Sequence, residues 1–353
     1  MKGKSLPVHG EKLFVAEGSA VEVDTEKCHK LALLLKSVSI PIDKEDSSLV
    51  DLSREEIGNF YLFLVAICHQ TSPRGKLPLE GMVGGRQLRG WDYLSAKFEE
   101  QVRYDRTLLK PFKWLAFTGD QLSTLFQDSE LGNRLSTPGK RAQLIRDLGS
   151  VMQSEGWLWL EDLYQLCSAR VTTGEPNLLD TLAKFYAYRD PLKKKSLFLL
   201  SLMRNTGLWK YRDDDQLGPP VDYHEVRGHL RIGTVRVNSN DLRRKLRNSV
   251  HVDSDDDLEI RRAVYDAIMM LSESTGIRNP SQLHYMFWNV FRSCCKHESP
   301  HCETCPSDCS LPDRYVPMAI HANGHRRCPF SSVCASVNTP HRYQEHVFET
   351  DYY

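Results

Sequence analysis

Seven of the ten cysteines fall between Cys294 and Cys334, and thiolates crowded in this way can hold a soft or borderline metal. Cys295, Cys302, Cys305 and Cys309 follow one another with gaps of six, two and three residues, directly after a predicted helix. On a proline-punctuated loop such thiols can wrap one centre, either zinc or an iron–sulfur cluster, with reduced loop cysteines as the bland alternative. Cys328 and Cys334, with five residues between them, could complete that site or bind separately. Cys294, adjacent to Cys295, reads as a bystander. A second chemistry-bearing residue is Asp222, just after Gly218, Pro219 and Pro220. Such an Asp is a helix N-cap more often than a catalyst. His224, Glu225 and His229 suggest a zinc protease, but the second His comes five residues after the first instead of four and misses the metal-facing side of a helix.

The elements that must position these residues read as helices. Ser53 and Glu56 form a capping box ahead of an apolar run from Ile57 to Cys68. Thr137 before Pro138 and Asn279 before Pro280 each place a capping residue ahead of a first-turn proline. Leu258, Ile260, Ala263, Val264, Ala267, Ile268 and Leu271 recur with a helical period, and similar amphipathic stretches cover roughly 92–104, 139–154, 159–169, 178–187 and 192–203. Strand signals are limited to Leu13 to Val23 and Thr234 to Val237, enough for a small pair. Arg170 to Pro176 reads as a boundary or long loop, and Asp213 to Pro220 as a turn region. After Pro300 the chain is too poor in apolar residues for its own core and needs metal or docking to be ordered.

The 353 residues suffice for two ordinary domains. Forty-six basic residues balance forty-six acidic ones, so any surface for a polyanion must be local. One candidate runs from Asp222 to Val250, where Arg227, Arg231, Arg236, Arg243, Arg244, Lys245 and Arg247 outnumber three acids, a net +4. The alternative is a solvated helix face paired with the acidic run Asp253 to Glu259. Trp91, Tyr93, Tyr223, Tyr285 and Trp288 could stack on an extruded base, or belong to the core. No apolar run is long enough for a membrane span and the start lacks a signal core, so the expectation is a cytoplasmic protein.

Cys295-x6-Cys302-x2-Cys305-Pro306 resembles the cluster loop of helix-hairpin-helix DNA glycosylases of the endonuclease III and adenine-glycosylase type. In that family the fourth ligand follows after five residues, whereas Cys309 follows after three. The stretch Val221, Asp222, His224, Val226 and Arg227, running on to Arg231 and Gly233, is similar to the segment of the same superfamily that carries the catalytic Asp. Members that also cut the backbone have a hairpin Lys. The comparable stretch Leu202 to Trp209 has Arg204 and no Lys, which implies a monofunctional enzyme.

A longer resemblance, from about residue 10 to 292, is to the queuosine salvage proteins, nucleotide hydrolases that release queuine and share a glycosylase-like helical fold. It rests on Gly85, Arg86, Gly90, Trp91 and Leu94; Phe185, Tyr188, Arg189 and Asp190; Lys193 to Lys195; Val221 to Tyr223; Asp241 to Leu246; Glu259 to Arg261; and His284 to Asn289. By that resemblance Asp222 is the sugar-side carboxylate and Lys194 lies near the substrate phosphate. The family's Asp-x-x-Asn-Phe base wall is replaced by Val65 to Gln70, including His69, so queuine itself should bind poorly.

Together the resemblances imply an all-α, DNA-glycosylase-like two-lobed fold with a C-terminal Cys-rich metal loop. The expected parts are an amino-terminal lobe over 1–175, a lobe over 176–293 carrying catalytic Asp222, and a Cys-rich loop and tail over 294–353. Lys194, Arg227, Arg231, Arg243, Arg244 and Lys245 are expected to hold phosphates, and His69, Trp91, Tyr223 and Trp288 to line the base pocket. Cys295, Cys302, Cys305 and Cys309, with Cys328 or Cys334 as the alternative fourth ligand, are expected to hold a [4Fe–4S] cluster or, alternatively, zinc. The expected substrate is DNA with a modified base, as in bacterial glycosylases that act against phage DNA. The alternative is a free modified nucleotide. The expected protein is monomeric and does not use a membrane.

Overall fold

The computed structural model describes residues 19–42, 49, 51–72, 77–306, 309–337, 339–340 and 342–353. The chain is mainly helical, with three small two-stranded sheets among the described residues. It divides into two compact units, and one of the points where the chain passes from one to the other lies between Asp214 and Asp215. One unit combines residues 19–42 with Asp215–Glu349, and the other combines residues from 49 to Asp214 with Thr350–Tyr353. Residues 176–214 thus belong with residues from 49 to 175, whereas residues 19–42 and most of the Cys-rich tail belong with Asp222. Among the described residues no helix is long and apolar enough to cross a membrane.

In the unit that contains Asp222, the strand Val21–Val23 pairs antiparallel with Val235–Val237. This is the small pair expected from the sequence, although residues 13–18 of its first signal lie outside the described residues. The helix Ser254–Thr275 buries Ile260, Val264, Ala267, Ile268 and Leu271, the helical period already visible in the sequence. Asp253 caps its start, and the acids Asp255 to Asp257 occupy the first turn, where the helix dipole favours negative charge. The helices Thr25–Lys36 and Pro280–Ser293 pack on it. Leu311, Tyr315, Met318, Ala319 and Phe330 of the tail join this core, so docking supplies the apolar surface that the tail lacks by itself.

The other unit is organised by the helix Arg54–Ile67, which opens with the Ser53–Glu56 capping box. Phe63 of this helix stacks on Phe98 and meets Trp114 and Phe117. The hairpin Glu80–Val83 with Arg86–Arg89, and the two-residue pair Gln127–Asp128 with Gly132–Asn133, were not legible as strands, because short polar segments carry no alternation. The loop after Arg170 is tied down by Asp213, whose carboxylate accepts the backbone N–H groups of Val171, Thr172 and Thr173.

The two proline-led helices differ at their caps. Asn279 accepts from the Ser281 N–H at 3.0 Å, as expected. Thr137 sits in the left-handed region at φ 48° and makes no side-chain cap hydrogen bond to the helix Pro138–Glu155. An N-cap needs extended backbone to aim its oxygen at the first turn, so the expected Thr137 cap is not made.

The helix Tyr223–Ile232 lies against Pro280–Ser293 at close range because Gly228 faces Phe291, whose ring fills the place a Cβ would take. Gly228→Ala adds helix propensity of up to about 1 kcal/mol but overpacks the contact by about 1–3 kcal/mol. The expected result is a lower denaturation midpoint. A midpoint equal to or above that of the parent would refute the close approach.

Candidate functional site

Asp222 is the N-cap of the helix Tyr223–Ile232. Its Oδ1 accepts from the N–H groups of His224 at 2.8 Å and Glu225 at 3.3 Å, and Glu225 Oε2 accepts from the Asp222 N–H at 3.1 Å. The capping box leaves Asp222 8% exposed at a helix end whose dipole favours an anion. The other oxygen of Glu225, Oε1, takes a 2.7 Å hydrogen bond from Nδ1 of His284 on the neighbouring helix, and both residues are buried. The cap holds the carboxylate in one orientation.

Beside Asp222 the structure gathers two of the residues singled out as base-pocket candidates. Tyr223 lies 4.2 Å, centroid to centroid, from the His224 ring, which meets Trp288 edge-on at 6.4 Å. Arg292 lies 4.3 Å over the Trp288 ring. Tyr223, His224 and Trp288 are half-buried, whereas Tyr285 is almost wholly buried. The three zinc-protease residues diverge. His224 pairs with Arg227, Glu225 with His284, and His229 with Thr234 at 2.7 Å.

The other candidates, Lys194, Trp91 and His69, belong to the second unit. Trp91 and Lys194 both contact Phe198, Trp91 edge-on at 4.9 Å and the Lys194 ammonium at 5.0 Å from the ring centroid. His69 is buried next to Lys195, whose Nζ lies 3.3 Å from His69 Nδ1 and donates to the carbonyls of Ala66 and Asp351. Burial pushes the Lys195 ammonium down to about 7 and holds the His69 imidazole well below its ordinary range. The basic run gave no hint that Lys195, unlike Lys194, is fully buried.

The six cations expected to bind phosphate fall into different settings. Arg227 is buried, donating to Cys295 O at 2.8 Å, Glu345 at 2.9 Å and His224 at 2.8 Å. Arg231, 1% exposed, donates to Lys296 O, His297 O, Tyr343 O and Gln344 Oε1 at 2.7–2.9 Å. Neither guanidinium reaches a surface where a phosphate could sit. Lys245 bridges Asp241 and Asp256, Arg244 pairs with Asp241, and Arg243 donates to Val237 O. Arg243, Arg244 and Lys245 keep some exposure, so the basic patch on this helix is smaller than the charge count suggests. The signal that could have revealed the structural role of Arg227 and Arg231 is their spacing of four on the helix that carries Asp222, which puts both on one face.

Cys295, Cys302, Cys328 and Cys334 line one small cavity, together with Cys294, Gly228, Arg231, Ile232, Phe291, Phe330 and Arg342. Cys305 and Cys309 are not in its wall. They hydrogen-bond to each other and lie beside Arg326, and Cys309 also meets Cys294. Burial pushes the Cys302 thiol up, the Cys334 thiol up to about 11, and the Cys328 thiol far above its ordinary value. Among the described residues no three His, Cys, Asp or Glu side chains converge as the ligands of a single metal ion. The wall sets soft thiols beside the Arg231 and Arg342 side chains, a donor type that iron–sulfur groups use.

No protein-family model matches the sequence, and no curated protein matches it. The reading of the site therefore rests on its own geometry.

Two outcomes follow. One ammonium cannot replace five guanidinium donors, so Arg231→Lys leaves carbonyls at residues 295–297 and 343–344 unmet at about 1–3 kcal/mol each. Hydrogen exchange in those two segments should accelerate while the helix Thr25–Lys36 keeps its protection. Unchanged exchange would remove Arg231 from its clamping role. The second outcome concerns His229, whose imidazole burial pushes down to about 3. Between there and about 6.5 the unfolded chain binds a proton that the folded one refuses, so stability is complete above that window and falls as pH drops through it. His229→Gln should lessen the loss of denaturation midpoint between neutral pH and about pH 5. An equal loss in both proteins would argue against a neutral buried His229.

Proposed function

We propose that the chain is a monofunctional N-glycosylase that releases a modified base from DNA, with Asp222 as its catalytic carboxylate. The observation that carries this reading is the orientation of Asp222 by its capping box, beside the half-buried aromatic row Tyr223, His224 and Trp288. Hydrolysis breaks the bond between the anomeric carbon and the base nitrogen. The base leaves with that electron pair and takes up a proton, while water supplies hydroxide to the anomeric carbon and releases its other proton. The Asp222 carboxylate stabilises the oxocarbenium-like transition state and orients the water, and Tyr223 and Trp288 offer faces for the extruded base. The glycosylase-like two-lobed architecture and a [4Fe–4S] group in the Cys-rich segment are part of the same proposal. Held there, the cluster would order the segment against the Asp222 helix. A role against phage DNA with bulky bases is part of the same proposal.

A second reading, hydrolysis of a free modified nucleotide, is favoured by one observation. Arg227 and Arg231 are buried, which leaves fewer cations for a polymer backbone.

Asp222→Asn preserves the cap and removes the charge, so base release should fall by about 10²–10³-fold while substrate binding persists. Released base is read by mass spectrometry after incubation with hypermodified DNA, unmodified DNA and free nucleotides. Near-parental turnover in the variant would move the active site elsewhere. Efficient release from nucleotides, with none from DNA, would establish the second reading.

A further inference from the structure

We infer that the four-thiolate site of this protein is built from Cys295, Cys302, Cys328 and Cys334, two pairs far apart in the chain, and that it takes a [4Fe–4S] cluster, with Cys305 and Cys309 outside it. This deepens the cluster part of the proposed function by assigning its ligands, and it differs from the consecutive set that the loop spacing suggests.

Three observations carry it. Cys295, Cys302, Cys328 and Cys334 line one cavity; Cys294 lines it too but is engaged by Cys309, and Cys305 and Cys309 engage each other. The second pair is fixed in place from both sides. Phe330, between Cys328 and Cys334, packs on Phe287 and Phe291, and the Ala335 N–H donates to Ile232 O at 3.0 Å. The segment is therefore docked on the carboxyl end of the Asp222 helix. Charge also balances. Four thiolates on a doubly positive core leave two negative charges, and two guanidinium groups stand in the wall, Arg342 and Arg231, the latter 3.4 Å from Cys295 Sγ.

The test reads metal and thiols in the full chain, purified without oxygen and reconstituted with ferrous iron and sulfide. Iodoacetamide labelling with peptide mass mapping should mark Cys305 and Cys309 and spare Cys295, Cys302, Cys328 and Cys334, and these four should become reactive once a chelator strips the iron. Cys328→Ser and Cys334→Ser should each lose bound iron and the broad absorbance near the blue end of the visible range, while Cys305→Ser and Cys309→Ser keep both. Protection of Cys305 and Cys309 in place of Cys328 and Cys334, iron retained in Cys328→Ser, or stoichiometric zinc in place of iron would each overturn the assignment. Should a serine variant fail to fold, the labelling map of the parent protein decides. None of these readouts involves base release, so failure of the glycosylase reading and failure of the ligand assignment are told apart.

Discussion

A guanidinium cannot shed its charge inside a protein, so a buried one must find an acceptor for nearly every donor. Arg231 does so by drawing in carbonyls from Lys296, His297 and Tyr343, the side chain of Gln344 and the Cys295 sulfur. Arg227, one turn earlier, adds Cys295 O and Glu345. The tail has too few apolar residues to fold by itself, and this pair of arginines fixes its path against the Asp222 helix. The opposite charge of Arg227 holds the Glu345 carboxyl below its ordinary range although burial pushes it up. Removing either arginine would thus leave buried acceptors uncompensated, which is costlier than never having formed the network.

The same helix orients the candidate carboxylate at its other end. Asp222 and Glu225 satisfy each other's backbone through the capping box, and Glu225 is anchored by His284. The helix dipole favours the anion at its start, and the arginines at 227 and 231 engage the Cys-rich segment further along. One element of ten residues therefore links the candidate catalytic carboxylate to the thiol cavity. Gly228 sets how near that element comes to Pro280–Ser293, the helix that supplies both His284 and Trp288.

The second unit answers a buried cation differently. Lys195 is as hidden as Arg231, but its three donors meet carbonyls of Ala66 and Asp351 and the His69 ring, and burial brings its ammonium down to about 7. A lysine can lower its charge where an arginine must be neutralised by acceptors. That contrast explains why the arginines are wrapped in backbone carbonyls from several segments, while Lys195 manages with fewer.

What the sequence determined by itself is local. The Ser53–Glu56 box, the Asn279 cap and the period of the helix Ser254–Thr275 depend on residues within a few positions of one another, and so does the placement of Asp222 at a helix start. Thr137 shows the limit, because its left-handed backbone is not encoded in the Thr-Pro pair. Which cysteines share a cavity was decided by tertiary structure, since Cys334 joins Cys295 only once Phe330 is buried against Phe287 and Phe291. The burial of Arg227 and Arg231 was decided in the same way, because a count of charges along the chain registers sign and spacing but not the distant carbonyls that come to meet them. The division at Asp214 likewise followed from packing. Residues 19–42 find their partners beyond Asp215, and Thr350–Tyr353 find theirs before Asp214, long-range pairings that local composition does not record.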